Sequence, residues 1–160
     1  MKLRVFLVVL LMAFSKTSIG DDFYVGMDVG DLSFDQQALS SATNYGLVLG
    51  HRWDSWSLEA VINSSETDNA IYKDQSVDMY HLYGAYRTSG KYYLKLKAGL
   101  TYEKYSFHHT AFDKRYTDEH VGIARGIGLG AKFSPISIEL EYSWLGGSLE
   151  LVNLGMRYSF

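Results

Sequence analysis

The stretch Val152-Asn153-Leu154-Gly155-Met156-Arg157-Tyr158-Ser159-Phe160 decides the fold of this chain. Apolar residues alternate strictly with small or polar residues along it, and its last residue is aromatic. Alternation with a period of two predicts a β-strand whose two faces meet different surroundings. One face carries the apolar side chains, and the other carries Asn153, Gly155, Arg157 and Ser159.

Seven further segments show the same alternation, which predicts eight strands in all. They cover approximately residues 23–30, 43–52, 55–63, 77–87, 92–103, 121–133 and 136–144. Arg125 falls on the apolar face of the sixth segment, which predicts that it lies above the apolar zone or marks a β-bulge.

The predicted connections alternate in length. Those after the second, fourth and sixth strands are short, whereas those after the first, third and fifth span about residues 31–42, 64–76 and 106–120. Short turns opposite longer outer loops are typical of transmembrane β-barrels, and an even strand count places both termini on the periplasmic side.

Alternation alone does not say which face meets water, because a soluble lipocalin-like barrel has the same period. Aromatic residues favour the membrane alternative, since they fall at the two ends of the strands with aliphatic residues between them. The end with short turns carries Trp53, Trp56, Tyr86, Tyr92, Phe133, Tyr158 and Phe160, and the other end carries Tyr45, Tyr80, Tyr102, Tyr142 and Trp144. The polar face is rich in glycine, as a narrow and crowded lumen requires.

The N-terminus has the pattern of an export signal. Lys2 and Arg4 precede the apolar run Val5–Phe14, and Ser18-Ile19-Gly20 supplies the small residues of a cleavage site. We therefore expect residues 1–20 to be a signal peptide cleaved after Gly20, because the run is too short to span a membrane. Residues 21–160 would then form one barrel domain, and the alternative is an uncleaved anchor.

Composition excludes some classes of partner. Removing the three basic residues of segment 1–20 changes the net charge from −3 to −6, so no nucleic-acid partner is expected. The chain has no cysteine and therefore no disulfide framework.

The signal peptide, the eight alternating segments and the Tyr158-Ser159-Phe160 end together resemble the small eight-stranded outer-membrane barrels of the opacity and outer-membrane-protein-A types, often called the porin family. The resemblance implies an all-β, antiparallel up-and-down barrel in the bacterial outer membrane. It also implies that Tyr158 and Phe160 form an assembly signal for the barrel-assembly machinery.

The inward face carries charges of both signs. A network of ion pairs is expected there, because isolated charges in a narrow lumen are costly. Its predicted members are Glu59, Lys95, Lys97, Glu103, Lys132, Glu139, Glu141 and Arg157. Glu139 and Glu141 are expected to face Arg157 and Lys132 on the neighbouring strands.

Two kinds of chemistry receive little support. His108, His109, Asp113, Asp118, Glu119 and His120 share one loop, but their spacing matches no metal motif, and no metal or cofactor is expected. Barrels that modify lipid A need a serine activated by a histidine, and no His-x-Ser stretch occurs.

We therefore expect a monomeric, non-enzymatic barrel with a structural or adhesion-like surface role and a lumen plugged by ion pairs. Its partners would be outer-membrane lipids, the assembly machinery and a surface ligand bound through loops 31–42, 64–76 and 106–120. The alternatives are a narrow porin-like channel for ions or small solutes and an outer-membrane lipid-modifying enzyme.

Overall fold

The computed structural model describes residues 23–34, 41–67, 72–109, 114–146 and 149–160. The predicted signal peptide, residues 1–20, lies outside them. Within the described residues, no helix is long and apolar enough to cross a membrane.

Eight antiparallel strands form a closed barrel in which each strand pairs with its neighbours in the chain. They are β1 (Phe23–Phe34), β2 (Ala42–Trp53), β3 (Trp56–Thr67), β4 (Tyr72–Arg87), β5 (Tyr92–His109), β6 (Lys114–Phe133), β7 (Ile136–Leu145) and β8 (Leu149–Ser159). The pairing of β1 with β8 closes the sheet and leaves no open side to the barrel wall. The predicted up-and-down barrel is confirmed.

The register of the strands sets the width of the barrel. A path that starts at Trp56 and steps to the paired residue on each next strand returns to β3 at Glu66, ten residues further along. Eight strands with this stagger enclose an interior just wide enough for side chains. Side chains from opposite walls can therefore meet in the lumen.

The outward face is apolar over most of each strand. We call this surface the apolar band; it runs from the aromatic ring at the short turns to a row of outward-facing polar residues near the other end of the strands. Those polar residues are Asp31, Thr43, Ser64, Asp78, Lys104, Glu119 and Glu150. On β4, Tyr80, Leu82 and Tyr86 face outward.

Above the apolar band, the facing of polar and apolar side chains is reversed. Leu32 points inward beside the outward Asp31, and Leu149 and Leu151 point inward on either side of Glu150. This inversion is expected where a barrel leaves lipid, because its wall then meets water and its inside becomes the only place for apolar side chains.

The predicted outer loops were too long. β1, β3 and β5 extend to Phe34, Thr67 and His109, and their partners begin at Ala42, Tyr72 and Lys114, so strand covers most of segments 64–76 and 106–120 and both ends of segment 31–42. Outward apolar residues end at the top of the band although strand pairing continues, which explains the error.

Arg125 is neither above the apolar surface nor part of a bulge. The register of β6 against β5 is unbroken from Ala131 to Lys114, and it pairs Arg125 with the outward-facing Ala98. Ile123 and Val121 lie beyond Arg125 and also face outward, so the arginine lies within the apolar band. Both predictions for Arg125 were wrong, since a charged residue can occupy an outward position of a regular strand without a bulge.

Candidate functional site

The periplasmic half of the lumen holds a buried group of charged side chains, which we call the ion-pair cluster. Its members are Asp28, Glu59, Arg87, Lys95, Lys97, Glu139, Glu141 and Arg157. Four carboxylates face four cations, and each of these side chains is at most 9% exposed. Such a balance is needed because a buried charge without a partner is strongly destabilising.

Lys95 lies at the centre of the cluster. Its Nζ is 2.9 Å from the carboxylate of Glu59, 3.0 Å from Glu139 Oε2 and 2.7 Å from Glu141 Oε1. The three acceptors use all three N–H donors of the ammonium group. Because Glu59 lies on β3 and the other two acids lie on β7, this one lysine joins opposite walls of the barrel.

Two arginines extend the cluster to the remaining strands. Arg87 donates from Nε to Glu139 over 2.9 Å and from Nη2 to Glu59 over 2.5 Å. Arg157 pairs with Asp28 over 2.5 Å across the β1–β8 seam and lies 3.4 Å from Glu139. Ion pairs therefore reinforce the closure of the barrel.

Two tyrosines lie across glycines at the edge of the cluster. Tyr24 covers Gly50 and Tyr93 covers Gly130, in each case on the neighbouring strand. Their hydroxyls donate over 2.6 Å to Glu59 and to Glu139, respectively. Glycine is needed there because the ring occupies the space that a Cβ would take.

Uncharged polar residues lie above the ion-pair cluster. Asn44 Nδ2 donates to Asn153 Oδ1 over 3.1 Å, and Asn44 Oδ1 accepts from Ser65 Oγ over 3.1 Å. Asn63 Nδ2 lies 3.3 Å from His81 Nε2. These bonds satisfy polar groups in a region where charge gives way to apolar packing.

The outer end of the lumen is closed by apolar side chains, which we call the outer apolar layer. Its members pack together and are at most 3% exposed: Leu32, Ala42, Val77, Met79, Leu145, Leu149 and Leu151. This layer was not predicted from the sequence, because apolar residues were expected on the lipid face. The inward parity of Leu149 and Leu151 relative to Asn153 was the available signal.

The structure separates two residues from the predicted network. Lys132 is exposed at the end of β6 next to the short turn, so its assignment to the lumen network was wrong; the inward parity of β6 ends there at the barrel mouth. Glu103 is buried near the outer end instead, where it accepts from Tyr105 Oη over 2.7 Å and from Thr101 Oγ1 over 3.3 Å. Asp28 and Arg87 belong to the cluster in addition to the predicted members.

The predicted histidine-rich loop lies only partly within the described residues. Asp113 and the side chains of His108 and His109 lie outside the described residues, while Asp118, Glu119 and His120 are exposed. No group of three or more His, Cys, Asp or Glu side chains in the described part of the chain is placed to hold a metal ion.

A closed barrel with an outward apolar band and a filled lumen defines a small transmembrane β-barrel protein. The outer membrane protein beta-barrel domain family matches residues 5–158, and the chain belongs to that family. It is therefore a protein of the bacterial outer membrane. A comparison with curated protein sequences finds no match.

Solved structures with the same fold include three bacterial proteins. Neisserial surface protein A has a TM-score of 0.71 at 13% identity, covering 86% of this chain and 97% of its own. Ail, the attachment invasion locus protein of Yersinia pestis, in complex with the heparin analogue sucrose octasulfate, has a TM-score of 0.62 at 15% identity, covering 87% and 97%. The N-terminal beta-barrel domain of Pseudomonas aeruginosa OprF has a TM-score of 0.60 at 16% identity, covering 86% and 97%.

Proposed function

We propose that this protein is a non-conducting outer-membrane barrel that acts at the cell surface, with an adhesion-like role. The observation that carries the proposal is that buried side chains occupy the lumen at two levels. The ion-pair cluster lies in its periplasmic half and the outer apolar layer lies at its outer end. A path for ions would have to cross both, and the side chains of the apolar layer offer no group to replace the water around an ion, although the carboxylate of Glu103 lies beside Met79 of that layer.

The outer rim supports a surface role. β4, β5 and β6 have 16, 18 and 20 residues, whereas about ten are enough to cross the hydrocarbon core. β6 pairs with β7 only up to Arg125, so its segment 114–124 continues with β5 above the rest of the wall. This raised part of the sheet presents the outer loops away from the membrane, where ligand-binding segments are usually found.

The outward charges above the apolar band constrain the ligand. Among the described side chains, they are mainly acidic: Asp31, Glu66, Asp78, Glu119 and Glu150, with Lys104 as a cation. This surface disfavours a sulfated polysaccharide such as the heparin analogue in the Ail complex, because like charges repel. We propose that the surface ligand is not a polyanion.

Membrane insertion completes the proposal. The outward aromatic rings of Tyr158 and Phe160 pack edge to face with centroids 5.4 Å apart at the end of the closing strand. We propose that they form the signal read by the barrel-assembly machinery, that the barrel is monomeric, and that it has no enzymatic activity.

Two measurements test the role. Planar bilayer recordings of the purified protein should give no steady unitary current, whereas steady currents that change in Glu139→Gln would support a narrow channel instead. Cells that express the protein should adhere to host-cell layers more than cells with a variant whose residues 106–117 are replaced by an Asn-Gly turn. If the wild type and the variant are present in equal amounts in the outer membrane and the cells adhere equally well, the raised part of β5 and β6 has no surface role.

A further inference from the structure

Arg125 is a charged residue on the lipid-facing surface. Among the described residues that face outward within the apolar band, it alone carries a formal charge. Ile127 precedes it toward the periplasm, and Ile123 and Val121 follow it at 74% and 68% exposure. An arginine in such a place is costly unless its charge reaches a partner.

The position of Arg125 along the barrel axis indicates at which side of the membrane that partner lies. Eight residues separate it from Phe133 at the periplasmic end of β6. At a strand tilt of about 40°, eight residues rise by roughly 20 Å of an apolar band that is about 25 Å tall. The guanidinium group on its long side chain can therefore extend to the outer interface.

The protein supplies an aromatic neighbour but no counter-ion. The guanidinium carbon of Arg125 lies 5.7 Å from the ring centroid of Trp144 on β7. No carboxylate in the described part of the chain lies within 4.0 Å of the guanidinium nitrogens. Glu150 lies one strand further from Arg125, where it pairs with Trp144.

We propose that Arg125 and Trp144 form a binding site for a phosphate of lipid A in the outer leaflet. A phosphate is the anion that an outer-membrane lipid offers at this height, and the planar guanidinium group binds phosphate with two parallel hydrogen bonds. Trp144 holds the guanidinium group by cation–π attraction and suits the interface itself. Ile123 and Ile127 flank the arginine and contact the acyl chains. The inference rests on the outer-membrane location and is independent of the proposed surface role.

Lipid retention tests this site. The protein, purified from outer membranes in mild detergent, is transferred to phosphatidylcholine nanodiscs that contain bis-phosphorylated lipid A, and bound lipid is counted by native mass spectrometry. Arg125→Leu should lower the affinity for lipid A by about tenfold, as expected for the loss of a charge-assisted contact. Lys132→Leu, which removes an exposed cation at the opposite end, should retain the wild-type affinity.

Two further comparisons show whether phosphate recognition is responsible. Wild-type protein should not retain lipid A from which both phosphates have been removed, and Arg125→Leu should remain heat-modifiable on gels, which shows that it is folded. Unchanged lipid A affinity in Arg125→Leu would overturn the proposal. So would equal retention of phosphatidylglycerol by the wild type, since that would indicate attraction to any anionic lipid.

Discussion

Lys95 on β5 and Glu139 on β7 are joined across the lumen, with the lysine Nζ 3.0 Å from Glu139 Oε2, although β6 lies between their strands. The contact is short because the barrel is narrow enough for side chains from non-adjacent strands to meet at its axis. The ion-pair cluster is therefore a property of the closed barrel as a whole.

Removal of Lys95 should be strongly destabilising. Lys95→Met leaves Glu59, Glu139 and Glu141 without their shared cation, and we expect a loss of about 3–5 kcal/mol in the free energy of unfolding. Urea titration of the barrel in detergent, followed by tryptophan fluorescence, measures this change. Lys132→Met is the matched control and should change stability by less than about 0.5 kcal/mol, because Lys132 is exposed. Equal losses in both variants would contradict the central position of Lys95.

The outward face should reject charge in a depth-dependent way. Leu96 faces lipid near the middle of the apolar band, and Leu96→Arg should cost about 2–4 kcal/mol. Thr43 also faces outward but lies at the outer boundary of the band, so Thr43→Arg should cost about 0–1 kcal/mol. Refolding titrations into lipid bilayers compare the two, and similar costs would mean that the band is placed wrongly.

Gly50 should not tolerate a side chain. A Cβ at this position would lie 2.1 Å from Cζ of Tyr24, so Gly50→Ala must displace the ring that donates to Glu59; we expect a loss of about 1–3 kcal/mol. Gly84 is the control, because the nearest atom to its Cβ would be 3.9 Å away. Unfolding midpoints in urea should fall for Gly50→Ala and stay level or rise slightly for Gly84→Ala. A level midpoint for Gly50→Ala would show that Tyr24 does not need this contact.

The orientation of the barrel is open to direct measurement, since the chain has no cysteine of its own. Glu119 is exposed above the apolar band, and Ser89 is exposed in the short turn between β4 and β5. On intact cells, a membrane-impermeant maleimide should label Glu119→Cys and leave Ser89→Cys unlabelled until the outer membrane is opened. Labelling in the reverse order would mean that the short turns face outward.

Most of the charged residues that face the lumen could be predicted from the sequence, because the period of a strand sets which of its residues point inward. Glu59, Lys95, Lys97, Glu139, Glu141 and Arg157 all lie in the cluster. Their partners were harder to predict. Neighbouring strands suggested Lys132 as a partner of the β7 acids, whereas Lys95 and Arg87 reach those acids from across the lumen.

The sequence by itself determined the barrel. Period-two alternation from Phe23 to Phe160, with aromatic residues at both ends of an apolar stretch, leaves a closed sheet as the structure in which lipid meets no unpaired backbone. The tertiary structure alone decided three features: the partners of Lys95 and Arg87 across the lumen, the outer apolar layer, and the unbroken register that keeps Arg125 inside the apolar band. Each depends on the stagger of the strands around the closed barrel, and this stagger sets which residues share a height and which meet across the axis.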